Sequence, residues 1–236
     1  MVSFKPSREN VDLHPAHRLM MRIIETSGVS APLVLHALRK IERYRFVPEV
    51  PIDEAYEDHP LPIGNGQTIS QPSLVAMMTE LLQLNGGERV LEIGSGCGYQ
   101  TALLACIAGE VIGIEIIPGL AERARKKLES IGLSNVQIRT GDGWNGAPDK
   151  APFAGIILSC GAPVPPPKLI AQLDEGASLV GPIGSNPGHC ILQKITRRGN
   201  ALQTENITAV RFVPMTGEAL KQEIKTAPGE EPSSWW

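Results

Sequence analysis

Apolar residues recur three and four positions apart in the first fifty residues, the spacing of a half-buried helix. VDLHPAHRLMMRIIETSG follows that rhythm and stops at Gly28. SAPLVLHALRKIERY predicts a second helix, with Ser30 as its cap and Pro32 in its first turn. FVPEVPIDEAYEDHPLPIG is proline-rich and irregular, and GNGQTISQPS then leads into a helical run, LVAMMTELLQL, ended by Asn85-Gly86-Gly87. From Arg89 the period shortens. RVLEIG, EVIGIEII, VQIRTGD, FAGIILSC and ASLVGPIG read as buried strands. Between them lie the helical runs YQTALLACIAG, PGLAERARKKLESIG and PPPKLIAQL. This alternation predicts an α/β fold with a mostly parallel central sheet and helices on both faces. HCILQKITRRG and LQTENITAVRFVPM follow without a helix between them and predict an antiparallel C-terminal strand pair.

Bulk properties narrow the class. The 236 residues suffice for a sizeable core, and 42% hydrophobic with 20% charged residues is ordinary for a globular protein. A net charge of −3 and 4% aromatics argue against a nucleic acid partner. The most apolar stretch is interrupted by Glu110, Glu115 and helix breakers, so no membrane span is expected. Cys97, Cys106, Cys160 and Cys190 lack metal-site spacing, and free thiols in a reducing compartment are expected, with no metal. No secretory signal opens the chain, so a cytoplasmic location is expected.

The chemistry concentrates in VLEIGSGCGYQTALLA, where a buried strand meets Gly94, Gly96 and Gly98 before a helix begins. Such a loop is either a plain turn or a close approach to a ligand. The dinucleotide fingerprint requires glycine where Tyr99 stands. Glu92, inside the strand, would repel a pyrophosphate but suits a ligand bearing ammonium and sulfonium, which favours S-adenosyl-L-methionine over NAD. Glu115 ends the second strand, where a carboxylate can accept ribose hydroxyls, and Asp142 ends the third, within reach of an adenine amino group. GNGQTISQPS stays open between two roles: Thr68 and Ser70 cap the next helix, or they form a polar cradle.

GNGQTISQPSLVAMMTELLQL, VLEIGSGCGYQTALLA, TGDGWNGAPDKAPFAGIIL and VRFVPMTG, in this order and preceded by RYRFVPE and AYEDHPLPIG, resemble the protein-L-isoaspartate O-methyltransferases. The resemblance runs from about residue 30 to residue 217 and implies a Rossmann-like S-adenosyl-L-methionine-dependent methyltransferase fold. It divides the chain into an N-terminal helical segment with the substrate-binding GQTISQP loop (1–85), a cofactor-binding core (86–217) and a C-terminal tail (218–236). By the match, Ser70 falls on the active-site serine, with Thr68 beside it in the substrate pocket. Glu92, Gly94, Ser95, Gly96, Gly98, Glu115, Asp142 and Gly143 fall on cofactor positions, and the backbone of Arg211-Phe212-Val213 lines a peptide groove.

The activity so implied is methylation of the free carboxylate of L-isoaspartyl residues in damaged proteins and peptides, which initiates repair through a succinimide. A monomer is expected. A carboxylate nucleophile with a pKa of about 4 is already ionised at neutral pH, so no general base is required. Ser70 is therefore expected to position the substrate and not to attack. Some positions depart from the family pattern: Phe153-Ala154-Gly155 replaces Phe-Asp-Ala, Ser159-Cys160-Gly161 replaces Thr-Ala-Ala, Ser73 stands where tyrosine is frequent, and Glu42-Arg43 replaces Pro-Arg. The alternatives are a related carboxyl methyltransferase with a dedicated peptide or small-acid substrate, or a non-catalytic cofactor-binding protein.

Overall fold

The computed structural model describes residues 13–186 and 188–222. The expected loose tail beyond Gln222, with Trp235-Trp236, lies outside the described residues. The chain opens with α1 (Pro15–Thr26) and α2 (Pro32–Lys40). The buried residues of α1 are His17, Met20, Met21 and Ile24, one stripe of the predicted period. Ser30 does not cap α2. Ala31 holds that position without a side-chain bond, and the Glu80 carboxylate accepts the Ser30 N–H at 2.8 Å and the Ala31 N–H at 2.5 Å.

The proline-rich stretch contains a 3-10 turn (Arg43–Phe46) and a one-turn helix, α3 (Ile52–Ala55). It ends in a hairpin of β1 (Leu61–Gly64) and β2 (Gln67–Ile69), in which Pro62 pairs with Thr68 and Leu61 with Ile69. The turn needs left-handed backbone at Asn65 and Gly66, with φ of 54° and 68°. The next helix, α4 (Pro72–Leu81), is capped neither by Thr68 nor by Ser70. Gln71 is its N-cap, and Asp58 accepts the Ser73 N–H at 2.8 Å and its hydroxyl at 2.7 Å.

The core then alternates β3 (Arg89–Ile93), α5 (Tyr99–Ile107), β4 (Glu110–Glu115), α6 (Pro118–Ser130), β5 (Val136–Thr140), β6 (Phe153–Leu158), α7 (Pro167–Ile170) and β7 (Leu173–Ile183). Two further strands, β8 (Cys190–Arg198) and β9 (Ala201–Val210), complete a sheet of order β5-β4-β3-β6-β7-β8-β9. Strands β5 to β7 in that order are mutually parallel, while β8 is antiparallel to both β7 and β9. The chain leaves β3 in one direction for β4 and β5, then crosses back to β6 on the other side of β3. That reversal is the switch point at which open α/β sheets bind ligands.

Strand alternation divides the core. Val90, Val111, Ile157 and Val180 pack with Met78 of α4 and Leu104 of α5. Leu91, Ile93, Ile112, Ile114, Ile156 and Leu158 face the opposite side with Trp144, Phe153 and Leu169. The helix expected over PPPKLIAQL shrinks to the four residues of α7, so this second face is covered mainly by short turns. Gln172 then leaves the helical path. Its side chain accepts from the Ala147 N–H at 2.8 Å and donates to the Asn145 carbonyl at 2.9 Å. The tail begins with a 3-10 turn, Gly217–Lys221. No described helix is long and apolar enough to cross a membrane, no cysteine is in a disulfide, and no described cluster of His, Cys, Asp or Glu is placed to hold a metal.

Candidate active site

The carboxyl ends of β3, β4 and β6 open onto three cavities that share lining residues. A crevice of about 220 Å³ is lined by Gly94, Gly96, Glu115, Gly143, Ser159 and Met215, among others. A narrower space of about 40 Å³ reaches Glu92, Ser95 and Tyr99 on one side and Ser70 on the other. An outer groove of about 270 Å³ runs past Ser70, Leu74, Arg211 and Phe212. Thr68 and Ser159 line all three.

The glycine loop is shaped by contacts on both sides. Gly94 and Gly96 have φ of 83° and 54°, a region that favours glycine. A Cβ on Gly96 would stand 3.1 Å from the Ile63 side chain of the hairpin, and one on Gly94 would stand 3.4 Å from the Cys160 sulfur. The Gly94 N–H donates to the Ile114 carbonyl at 2.8 Å, and the Gly96 N–H donates to Glu115 Oε2 at 2.8 Å. Glu115 Oε1 accepts the Ile117 N–H at 2.9 Å. Each Glu115 oxygen keeps a further lone pair toward the crevice, enough for a diol. Gly143 is held by close approach, since a Cβ there would fall 2.3 Å from Ile93 Cγ2.

Glu92 is fully buried below this loop. Thr101 donates its hydroxyl proton to Glu92 Oε2, and Ser159 donates to Oε1 at 3.1 Å. Burial pushes the Glu92 carboxyl up to about 7, and the nearby Glu115 charge adds to the rise, while the two hydroxyl bonds oppose it. Ser95 also lines the narrow space, and its buried hydroxyl has no hydrogen-bond partner among the described residues.

Two candidates are placed differently. Asp142 is not among the lining residues of the crevice. Its oxygens accept the Trp144 N–H at 2.9 Å and the Glu218 N–H at 2.7 Å, so it clasps the start of the terminal turn. Gly98 is the N-cap of α5, against Ala124 of α6, and lines none of the three cavities.

Thr68 and Ser70 stand together across from the glycine loop, brought there by β2 and the short link to α4. Their hydroxyls make no hydrogen bond among the described residues. Arg211, Phe212 and Val213 border the outer groove as expected. Ser159 and Thr101 are partners of Glu92 that the motifs do not announce. Ser159 did carry a signal, because it follows the last residue of β6 at the same sheet edge as Glu115.

A family model described as protein-L-isoaspartate(D-aspartate) O-methyltransferase matches residues 15–220. A protein-L-isoaspartate O-methyltransferase of Anaeromyxobacter dehalogenans (strain 2CP-C) is 51% identical over 191 residues, covering 80% of this chain and 91% of that one. Protein-L-isoaspartate O-methyltransferase 1 of Rhodopseudomonas palustris (strain HaA2) is 49% identical over 202 residues, 85% of this chain and 82% of that one. A solved protein-L-isoaspartate O-methyltransferase structure aligns with a TM-score of 0.79 at 28% identity, covering 86% of this chain and 67% of its own. The same fold recurs, with a TM-score of 0.73 at 22% identity over 85% of this chain and 98% of the other, in a putative enzyme from Plasmodium falciparum in complex with S-adenosyl-L-homocysteine. On the extent of the family match and of these identities, the chain belongs to the protein-L-isoaspartate(D-aspartate) O-methyltransferase family.

Proposed function

We propose that this chain methylates the free carboxylate of L-isoaspartyl residues in damaged proteins and peptides, using S-adenosyl-L-methionine, and so initiates their repair through a succinimide. One observation carries the proposal: the two uncommitted hydroxyls of Thr68 and Ser70 share a cavity with Gly94 and Gly96 at the sheet's switch point. The residues present fit the cofactor. The left-handed glycines leave room where a Cβ would intrude, and Glu115 keeps acceptor capacity for hydroxyls.

When bound, the cofactor supplies an electrophilic methyl group on a positively charged sulfur. The chain's own residues supply position. An ionised carboxylate needs no base, and no histidine lines the crevice, the narrow space or the outer groove. Thr68 and Ser70 donate neutral hydrogen bonds, which orient the carboxylate while leaving it nucleophilic. Isoleucines 63, 93 and 114 line the crevice and keep water from the charges that meet there. The outer groove beside Arg211-Phe212-Val213 would take the peptide that carries the reacting residue. A monomer is proposed as the acting form, and a cytoplasmic site of action agrees with the unpaired thiols.

The deciding experiment offers labelled S-adenosyl-L-methionine with matched isoaspartyl and aspartyl peptides. Labelling of the isoaspartyl peptide alone is expected. Equal labelling of both, or cofactor binding with neither labelled, overturns the proposal.

A further inference from the structure

We propose that Ser159 is a positioning residue that relays the negative charge of buried Glu92 to the point where the three cavities meet, so that the chain distinguishes the cationic methyl donor from its neutral thioether product. The inference rests on the methyl-transfer reading above, and on no particular acceptor.

Glu92 has two hydroxyl partners, and they are not equivalent. Thr101 is fully buried and lines none of the three cavities. Ser159 is only half-buried and lines all of them. Its backbone N–H donates to the Ile93 carbonyl at 2.8 Å, which fixes it beside the end of β3. A serine hydroxyl has one proton and two lone pairs. With the proton given to Glu92, what remains to face open space is the electron-rich side of the oxygen. The carboxylate behind it polarises the bond further in a site of low dielectric.

The other two hydroxyls are arranged the opposite way. Thr68 and Ser70 have protons to give, and they suit an anionic acceptor. Ser159 repels an anionic oxygen and favours a positive centre. The site therefore has a donor pole on the hairpin side and an acceptor pole on the β6 side. A methyl donor and its demethylated product differ by the positive charge on sulfur, so an acceptor pole contributes binding to the first that it does not contribute to the second.

The test is calorimetric binding of S-adenosyl-L-methionine and S-adenosyl-L-homocysteine to the full chain and its variants. In Ser159→Ala the dissociation constant for the charged ligand should rise roughly tenfold, the scale of one hydrogen bond to a charged group. That for the neutral ligand should stay within about twofold, and Ser159→Thr, which keeps the hydroxyl, should retain the wild-type ratio. If Ser159→Ala does not fold, Ser159→Cys carries the same expectation, because a thiol is a weak donor and acceptor. Equal weakening of both ligands, no change in either, or a threonine variant that behaves like alanine overturns the inference. A wild-type chain that shows the ratio but esterifies a different acid refutes the isoaspartyl substrate and leaves the role of Ser159 intact.

Discussion

Asp58 holds the first turn of α4 in place by accepting both the backbone N–H and the hydroxyl of Ser73, at 2.8 and 2.7 Å. Ser70 lies three residues upstream, so this bond pair also fixes the frame in which the cradle is built. Asp58→Ala should cost about 1–2 kcal/mol of stability, as for loss of a helix cap. It should also raise KM for an isoaspartyl peptide more than it lowers cofactor affinity. Thermal melts and steady-state kinetics check both parts.

Ser70→Ala removes one guiding hydroxyl and nothing that the fold needs. The rate should fall by roughly ten- to a hundredfold, the scale of lost orientation, while cofactor affinity changes less than about twofold. An unchanged rate would remove the assigned role.

Glu92 sets a pH-dependent exchange between stability and binding. Its carboxyl is raised in the folded state from an ordinary 4.5 to about 7, chiefly by burial. Its contribution to stability is therefore full below the unfolded value and is lost as pH rises through about 7. Glu92→Gln abolishes that loss. The ligand-free variant should melt at the same temperature as wild type near pH 4 and progressively above it between pH 4.5 and 7. Its affinity for S-adenosyl-L-methionine should fall most near pH 7, where the wild-type carboxyl carries charge, and approach the wild-type value near pH 4.5. Calorimetric melts with and without ligand separate the two effects.

His17 has the opposite sign. It is buried in α1, bonds to the Leu38 carbonyl at 2.9 Å and stacks on Tyr56 with ring centroids 4.7 Å apart. Burial is the main cause that lowers its pKa below 6.5, against the smaller opposing effect of the backbone bond. The folded state therefore favours the neutral ring, and the stability this contributes is complete above 6.5 and declines as pH falls below it. His17→Gln should flatten the slope of melting temperature against pH in that acidic range.

The parts of the structure that were legible in the sequence are those encoded by neighbours. Val90 and Leu91 face opposite sides because strand side chains alternate, and the β3 run is apolar on both faces as a central parallel strand must be. Gly94, Gly96 and Gly98 announced a strand-to-helix loop at the right sheet edge. What escaped was set by partners distant along the chain. Glu80 serves α2 from fifty residues away and Asp58 serves α4 from fifteen, so Ser30, Thr68 and Ser70 looked like caps only while those carboxylates were out of view. Asp142 ends the third strand as its neighbours suggest, but its bond to the Glu218 N–H, seventy-six residues away, was out of view in the same manner. The hairpin at Asn65-Gly66 was not expected either, because the polar residues around it concealed strands only three and four residues long.

The pairing of Pro62 with Thr68 has a consequence for length variation. Thr68 points outward to the cavities while Ile69 is buried, and neighbouring strand residues point to opposite sides. Shifting β2 by a single position would send isoleucine toward the acceptor and threonine into the core. The exposed tip at Asn65-Gly66, a place where insertions ordinarily pass unnoticed, is therefore a spacer of fixed size, and losing or gaining one residue there should silence the enzyme while leaving it folded.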